Sequence, residues 1–468
     1  MIDRFSIDFR AERSEIFLGD KIPGAREEHR GAPSSMAAPQ RARAPQRAMA
    51  AARPRTPAKF GRCAPRGTRT NPKASSSPKV DIDLDWAPIL SWRDHATVLV
   101  GAASSGLAMA FLAFRGRRPA VGVFVGAVVG IATRYFLIET KHQRALVEGP
   151  ELGDSNSSFD EVGGIVVHYK VEDPPRTKEG VGRAPSAVLH ASHGFGANCY
   201  SWEGIQGKLS EELDCRVVCH DTPGFGLTPR PKEIRDFTLL RNAEVSLDLV
   251  DLVTEDLNDK GGLILMGHSM GCISAAHAAL QRAEQTRALV LVAPAIRAVT
   301  GSGDKGPGWP VTRARGAIAS KIVYAVIRPF LLVLLRALVR SKAFWQRGLG
   351  AAFSDKTKVS EETVDGYRRA KMVKRWDVGM IKFVVAQIFG GGTRGLVEGI
   401  ASLSRRGVKV VIIHGEDDRI VPCSNSRRLA EIIPGCELKV LPRCGHNPQE
   451  EAQEAFVREL KRWYAADA

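Results

Sequence analysis

Residues 267–271 read Gly-His-Ser-Met-Gly, and this stretch indicates the fold of the chain. The apolar run 263–266 before it has the length of a buried strand, and residues 272–280 after it are typical of a helix. A serine between glycines at a strand-to-helix turn is the pattern of a nucleophile elbow. Its small flanking residues let a strained turn pack closely while the hydroxyl points into a cleft. The stretch predicts that Ser269 is a nucleophile if the chain also supplies a base, an acid and an oxyanion hole.

Candidates for the acid and the base follow downstream, each just past a predicted strand. Asp418 comes after the apolar run 408–413, and His446 comes after the run 437–441. A serine hydroxyl is a weak nucleophile until an adjacent base takes its proton, and a third group must orient that base. Because the carboxyl ends of parallel strands meet at one edge of a sheet, we expect both side chains near Ser269. The chain order of serine, acid and histidine is the one expected for such a sheet.

Other residues compete for these positions. Asp417 is the alternative to Asp418, and Asp221 belongs to an Asp-x-Pro-Gly-x-Gly pattern that is more typical of a turn. His268 is next to the serine, in a turn that directs it elsewhere, and we expect His193 to hold a structural hydrogen bond. The histidines that compete with His446 are His193, His220, His268 and His277.

From Glu151 onward, short apolar runs alternate with longer helical segments, which predicts a mainly parallel sheet covered by helices on both faces. The predicted strands are 164–169, 187–192, 215–219, 263–266, 288–292, 408–413 and 437–441. We assign residues 151–468 to this α/β domain.

A long insertion, residues 300–392, separates two of these strands and is expected to form a helical lid over the serine. Its segment 318–339 is apolar but contains Lys321, Arg328 and Arg336 and is interrupted by Pro329. Such a segment is too charged for a comfortable membrane span and favours one or two basic amphipathic helices.

The N-terminal region carries much of the formal net charge of +16. Residues 30–80 are rich in Arg, Ala, Pro and Ser and contain no Asp or Glu, a composition that prevents a packed core and suits a targeting peptide. We interpret residues 1–80 as a disordered basic tail that acts as a chloroplast transit peptide. A mitochondrial presequence is the alternative.

Two apolar stretches, 96–114 and 119–138, follow within residues 81–150, and only Arg-Gly-Arg-Arg separates them. Each has about the length needed to cross a bilayer as a helix, and their small residues would let two helices pack closely. We therefore predict a transmembrane helical hairpin. A hairpin lying on the membrane surface, or a buried helical pair, is the alternative.

The eight cysteines form no C-x-x-C pair and no zinc-ligand spacing with histidines. We therefore expect a reducing compartment and no metal. No P-loop or G-x-G-x-x-G follows a strand, so no nucleotide cofactor is implied. The positive charge is concentrated in the tail, the hairpin loop and the lid, which does not indicate a nucleic-acid partner.

From about residue 151 to the end, the chain resembles the α/β-hydrolase superfamily in its abhydrolase-1 branch, with an organellar type of N-terminus. The motifs that support the resemblance are His-Gly-Phe-Gly at 193–196, Asp-Thr-Pro-Gly-Phe-Gly at 221–226, the elbow, the segment 415–422 and Gly-His at 445–446. The resemblance implies that Ser269 is the nucleophile, His446 the general base and then acid, and Asp418 the group that orients the imidazole. It also implies an oxyanion hole made by the backbone N–H groups of Phe195 and Met270.

A serine at the elbow, rather than an aspartate, indicates acyl transfer through an acyl-enzyme. We therefore expect a serine esterase or lipase. The basic apolar lid and the predicted hairpin favour a lipid ester over a soluble one and imply a membrane partner. An acyltransferase or a C–C hydrolase using the same triad is the alternative, as is a non-catalytic binding protein on this scaffold.

Overall fold

A computed structural model describes residues 143–175, 185–255, 262–298, 332, 334–339, 341–390, 393 and 395–466. Within these ranges the central element is an eight-stranded sheet. Its strands are β1 Ser158–Val162, β2 Ile165–Glu172, β3 Ala187–Ser192, β4 Cys215–His220, β5 Gly262–His268, β6 Thr286–Val292, β7 Lys409–Gly415 and β8 Glu437–Leu441.

The strands lie in the order β1-β2-β4-β3-β5-β6-β7-β8. All neighbours from β4 to β8 are parallel, whereas β1 pairs with β2, and β2 with β4, in antiparallel orientation. The predicted mainly parallel sheet is therefore confirmed. The sequence analysis did not predict β1, because Ser-Phe-Asp-Glu-Val is short, mostly polar and only partly buried, as an edge strand can be.

Helices cover both faces of the sheet. The α-helices named in the described residues are α1 Tyr200–Glu212, α2 Leu239–Val253, α3 Gly271–Gln281, α4 Lys342–Ala352, α5 Glu361–Arg369, α6 Trp376–Gly390, α7 Leu396–Arg405, α8 Cys423–Ile432, α9 Pro448–Glu451 and α10 Gln453–Ala465. Along β5, Leu263 and Leu265 belong to one buried cluster, and Ile264 and Met266 belong to another. This burial on both faces explains why β5 is an unbroken apolar run rather than an alternating one.

Three helices, α4 to α6, lie between β6 and β7 in the predicted insertion. Their apolar side chains, including Trp345, Tyr367 and Trp376, form a third buried cluster with Leu152 and Ala197 of the N-terminal part of the domain. Residues 299–331, which include most of the predicted amphipathic segment 318–339, lie outside the described residues. The covering role predicted for this insertion stays a prediction.

The predicted transit peptide (1–80) and the predicted hairpin helices (96–114 and 119–138) lie outside the described residues. Within the part of the chain that the structure describes, no helix combines the length and the apolar character needed to span a bilayer.

Candidate active site

Ser269 lies in the tight turn between β5 and α3, with a positive φ of 52°. A non-glycine residue in this left-handed region is strained, and such strain is often found at functional sites. A Cβ on Gly267 would lie 2.4 Å from the carbonyl oxygen of Gly271, and one on Gly271 would lie 2.3 Å from the carbonyl oxygen of Ser192. Both positions therefore require glycine, which is the physical reason for the Gly-x-Ser-x-Gly pattern.

Ser269, His446 and Asp418 lie together at the carboxyl edge of the sheet, and all three are buried. The Nε2 atom of His446 is 2.9 Å from the Ser269 Oγ, and its Nδ1 atom is 2.7 Å from Oδ2 of Asp418. Because the carboxylate accepts the Nδ1 proton, Nε2 is left to accept the proton of the serine hydroxyl. The geometry is that of a nucleophile hydrogen-bonded to an oriented base.

The Asp418 carboxylate is held by more than His446. Its Oδ1 accepts the backbone N–H groups of Ile420, at 2.8 Å, and Val421, at 2.9 Å. Burial alone would raise the pKa of Asp418, but hydrogen bonds from His414, His446 and the backbone hold that pKa well below its ordinary value. The carboxylate is therefore ionised at neutral pH, as an acid that orients an imidazole must be.

The competing carboxylate, Asp417, lies elsewhere. It is exposed, and its Oδ2 accepts a hydrogen bond from Ser354 Oγ at 2.6 Å. Of the two adjacent aspartates, the structure thus brings Asp418 to His446.

His268 contacts the backbone of the base rather than the serine hydroxyl. Its Nε2–H donates to the carbonyl oxygen of His446 at 2.8 Å. Burial, together with the nearby His446, lowers the pKa of His268 to about 3, so the ring is neutral. This contact helps to position the loop that carries His446.

His193 and His220 have structural partners. The Nδ1–H of His193 donates to the Gly194 carbonyl at 2.8 Å, and its Nε2 accepts the N–H of Thr222 at 3.0 Å. His220 Nε2 lies 2.9 Å from the side-chain oxygen of Asn242. Neither ring contacts Ser269 or Asp418.

The sequence analysis missed His414. Its Nε2–H donates to Asp418 Oδ2 at 2.9 Å, while its Nδ1 accepts from Ser426 Oγ at 2.6 Å. The sequence feature that could have indicated His414 is its position near the end of β7, four residues before Asp418. That signal is weak, because only the tertiary structure shows that the ring turns back toward the carboxylate.

The proposed oxyanion donors lie on neighbouring strand ends. β3 pairs with β5 so that Ser192 is opposite Gly267, and the loop containing Phe195 begins one residue later. A Cβ on Gly194 would lie 3.3 Å from the Cβ of Ser269, so this loop passes close to the nucleophile. Within the described chain, neither Phe195 nor Met270 donates its N–H to a protein acceptor. Met270 also precedes the first turn of α3, where N–H groups have no intrahelical partner.

One buried group among the described residues, His168, Cys199 and Asp221, has the composition of a metal site. Its carboxylate is already engaged, because Asp221 accepts His168 Nδ1–H and the Leu227 N–H, each at 2.6 Å, and the Cys199 N–H at 2.7 Å. These bonds tie the turn 221–226 to β2 and α1. The group is thus accounted for by structural hydrogen bonding.

The Glu450 carboxyl, four residues after His446, should make the stability of the folded protein depend on pH. Its Oε1 accepts from Tyr367 Oη at 2.6 Å and Ser201 Oγ at 2.7 Å. Burial raises the pKa of Glu450 from 4.5 to about 7, against the effect of these hydrogen bonds. The folded protein therefore keeps a proton that the unfolded chain releases, and the free energy of unfolding falls as pH rises from 4.5 to 7.

Glu450→Gln keeps an acceptor oxygen and removes this titration. We expect the variant to be more stable than the wild type at pH values above 7 by up to about 3 kcal/mol, and equally stable near pH 4.5. Urea unfolding at the two pH values measures the difference. Glu431→Gln, at an exposed carboxylate of α8 without an ion pair among the described residues, is the matched control and should show no such contrast. A constant difference between Glu450→Gln and wild type at both pH values would contradict the assignment.

Fold and site together define an α/β protein with a buried serine, histidine and aspartate in hydrogen-bond contact at the carboxyl edge of its sheet. Residues 188–459 match the model of the alpha/beta hydrolase family, and the chain belongs to that family.

Several proteins are similar in sequence to this chain. An uncharacterized hydrolase of Bacillus subtilis, YugF, is 26% identical over 64% of this chain and 94% of its own. A 2-hydroxymuconate semialdehyde hydrolase of Pseudomonas putida is 26% identical over 56% of this chain and 82% of its own. A probable lysophospholipase of Arabidopsis thaliana, BODYGUARD 4, is 21% identical over 63% of this chain and 68% of its own.

A solved structure of a thermophilic esterase from Thermogutta terrifontis superposes with a TM-score of 0.47 at 18% identity, covering 67% of this chain and 99% of the esterase.

Proposed function

We propose that this protein hydrolyses a carboxylic ester through an acyl-enzyme formed on Ser269. The observation that carries the proposal is the chain of two hydrogen bonds from Ser269 Oγ to His446 and from His446 to Asp418. A buried serine in this contact has its proton acceptor in place, and its strained turn directs the hydroxyl away from the backbone.

The reaction follows from the geometry in two halves. His446 Nε2 takes the hydroxyl proton as Ser269 Oγ attacks the ester carbon, and the N–H groups of Phe195 and Met270 stabilise the resulting oxyanion. His446 then gives the proton to the departing alkoxide oxygen, which leaves as the alcohol. In the second half a water loses its proton to His446 and attacks the acyl carbon. The bond between that carbon and Ser269 Oγ then breaks, His446 returns the proton to Oγ, and the acid leaves. Asp418 stays ionised throughout and stabilises the imidazolium.

An aromatic group beside the oxyanion loop supports an apolar acyl substrate. Phe195 is 53% exposed, and its loop passes close to the nucleophile at Gly194. Its ring centroid is 5.5 Å from that of Phe225 and 6.1 Å from that of Phe383 of α6. Phe225 and Phe383 are already buried, so an acyl chain lying against Phe195 would cover the apolar surface that is otherwise in contact with water. A lipid ester fits this surface and the basic insertion better than a short polar ester does.

For location, we propose a chloroplast membrane. The acid-free, Pro- and Ser-rich stretch 30–80 and the two apolar stretches of residues 96–138 support this proposal. A mitochondrial membrane is the alternative. Import of a fluorescent fusion of residues 1–150 into isolated organelles discriminates between the two.

A substrate panel tests the ester proposal. We expect the full-length protein to hydrolyse p-nitrophenyl esters, with kcat/KM rising by up to about fourfold for each acyl CH₂ that becomes buried. The Pseudomonas putida relative, a 2-hydroxymuconate semialdehyde hydrolase, supplies the competing substrate. Faster turnover of that compound than of any ester would overturn the ester proposal in favour of C–C hydrolysis. Transfer of the acyl group to an added alcohol, in preference to water, would identify an acyltransferase.

A further inference from the structure

An open cleft of about 510 Å³ lies beside the loops that carry the acid and the base. Its lining residues are Ala343, Gln346, Arg347, Gly350, Ala351, Lys356 and Arg419, and we refer to it as the basic cleft. Three of these residues are cationic and none is acidic. The cleft thus has one sign of charge, which raises the local concentration of anions.

The cations of the basic cleft are not neutralised by the protein. Within the described residues, Arg347, Lys356 and Arg419 are exposed and have no ion pair or side-chain hydrogen bond. Lys342, on α4 like Arg347, differs because it pairs with Glu361 at 2.6 Å. The nearest acids in the chain do not line the cleft. Asp355 accepts hydrogen bonds from Thr357, and Asp417 accepts one from Ser354. An external anion is therefore the charge complement of this site.

Exposed large apolar side chains close in the chain to the lining residues point to a membrane surface rather than a free anion. Phe344 is 39% exposed and adjoins Ala343, and Ile420 is 48% exposed and adjoins Arg419. Leu334 and Leu338, on the helical residues before α4, are 56% and 40% exposed. Cations combined with exposed apolar side chains are typical of surfaces that lie in the headgroup region of a bilayer.

The sequence extends this positive charge. Residues 305–354 contain no Asp or Glu and include nine Lys or Arg residues, and the stretch includes α4, which forms part of the wall of the basic cleft. Among the described residues of the stretch, two of the nine are paired with acids from outside it, Arg336 with Asp377 and Lys342 with Glu361. Each Lys or Arg near an anionic membrane surface adds to the attraction, which falls off within a Debye length. The excess of Lys and Arg over acidic residues in 305–354 therefore favours, as the ligand, a surface with many negative charges over a single small ion.

The basic cleft is joined to the candidate active site by hydrogen bonds. The carbonyl of Ala352, the last residue of α4, accepts the N–H of His446 at 2.6 Å. The Glu451 carboxylate accepts the N–H groups of Gly445, at 2.6 Å, and Ser354, at 3.0 Å. On the opposite wall, Arg419 directly follows Asp418. A surface bound at the cleft would lie next to both catalytic loops.

We propose that the basic cleft binds the phosphate groups of anionic phospholipids and docks the α/β domain on a membrane surface. The proposal rests on the proposed function in one respect, since it names the surface on which an apolar ester substrate would be met. Binding itself needs no turnover, so it is measurable in an inactive protein.

The test is vesicle flotation of the full-length protein carrying Ser269→Ala, using phosphatidylcholine vesicles with and without phosphatidylglycerol. Because the apolar stretches of residues 96–138 and the basic tail are present in every variant, we expect all variants to bind pure phosphatidylcholine vesicles equally and phosphatidylglycerol to strengthen binding through the cleft. The triple variant Arg347→Ala, Lys356→Ala, Arg419→Ala should lose on the order of a hundredfold of this phosphatidylglycerol-dependent gain, at about fivefold for each charge removed. The matched control removes three exposed arginines of α7 and α10, Arg405, Arg458 and Arg462, and should weaken binding by less than about threefold.

Four outcomes separate the possibilities. Equal losses in both triple variants would show that only net charge matters and would overturn the proposal. Binding of inorganic phosphate by the wild type but not by the cleft variant, with equal vesicle binding by both, would overturn it in favour of a free-phosphate site. Restored vesicle binding in Arg347→Lys, Lys356→Arg, Arg419→Lys, with an unchanged melting temperature in every variant, would support it. Cleft-dependent vesicle binding without any esterase activity in the wild type would sustain the docking site and count against the proposed function alone.

Discussion

Replacing Ser269 by alanine is expected to lower kcat for p-nitrophenyl esters by on the order of 10⁵-fold or more, because the acyl-enzyme can no longer form. The same variant should lose covalent labelling by a fluorophosphonate, which reacts only with an activated serine. The substitution deletes one oxygen from a buried turn and leaves the His446–Asp418 hydrogen bond in place. Its effect is therefore expected on chemistry and not on folding.

Ser402→Ala is the control for this experiment, since Ser402 is exposed on α7. It should retain the activity and the labelling of the wild type. Mass spectrometry of the labelled peptide adds an independent assignment. Label on any serine other than Ser269, or hydrolysis that persists in Ser269→Ala after purification to constant specific activity, would show that the nucleophile has been assigned wrongly. Retained ester binding without labelling in the wild type would instead favour a binding protein.

Replacing Asp418 by asparagine is expected to lower kcat by about 10⁴-fold. The side chain keeps its shape, but an amide NH₂ turned toward His446 Nδ1 favours the tautomer that carries its proton on Nε2. That tautomer cannot accept the proton of Ser269. The loss of the ionised carboxylate also removes the charge that stabilises the imidazolium during the reaction.

Asp417→Asn tests the same chemistry at the adjacent residue. Because Asp417 is exposed and contacts Ser354, we expect its substitution to change kcat by less than about threefold. Steady-state kinetics of the two variants, measured with circular dichroism to confirm folding, give the comparison. A larger loss in Asp417→Asn than in Asp418→Asn would reverse the assignment of the acid.

Much of the fold could be predicted because buried parallel strands have a strong sequence pattern. The predicted strands 187–192 and 437–441 match β3 and β8 at both ends. β1 could not be predicted, because an edge strand buries little and needs no apolar run. The antiparallel pairing of β2 could not be predicted from the sequence either, since strand direction depends on the path of the connecting chain.

In the candidate site, too, some residues could be predicted from the sequence and others could not. Ser269, Asp418 and His446 could be found because each follows a recognisable strand, and strand ends meet at a common edge. His414 and His268 could not, because their contacts with Asp418 and His446 depend on ring orientations that no local pattern encodes. The resemblance favoured Asp418 over Asp417, and the path of the loop after β7 shows that Asp418 is the carboxylate that contacts His446.

The sequence by itself determined the elbow, because the elbow is a local object. The glycines two positions to either side of Ser269 leave room for its strained turn, and this spacing is recognisable in the sequence although the backbone that approaches Gly271 comes from β3. The basic cleft, by contrast, is formed only in the tertiary structure. Arg347 and Arg419 are far apart in the chain, and each alone is an ordinary surface cation. The fold makes them one site by ending α4 against the loop that carries His446 and starting the Asp418 loop beside it.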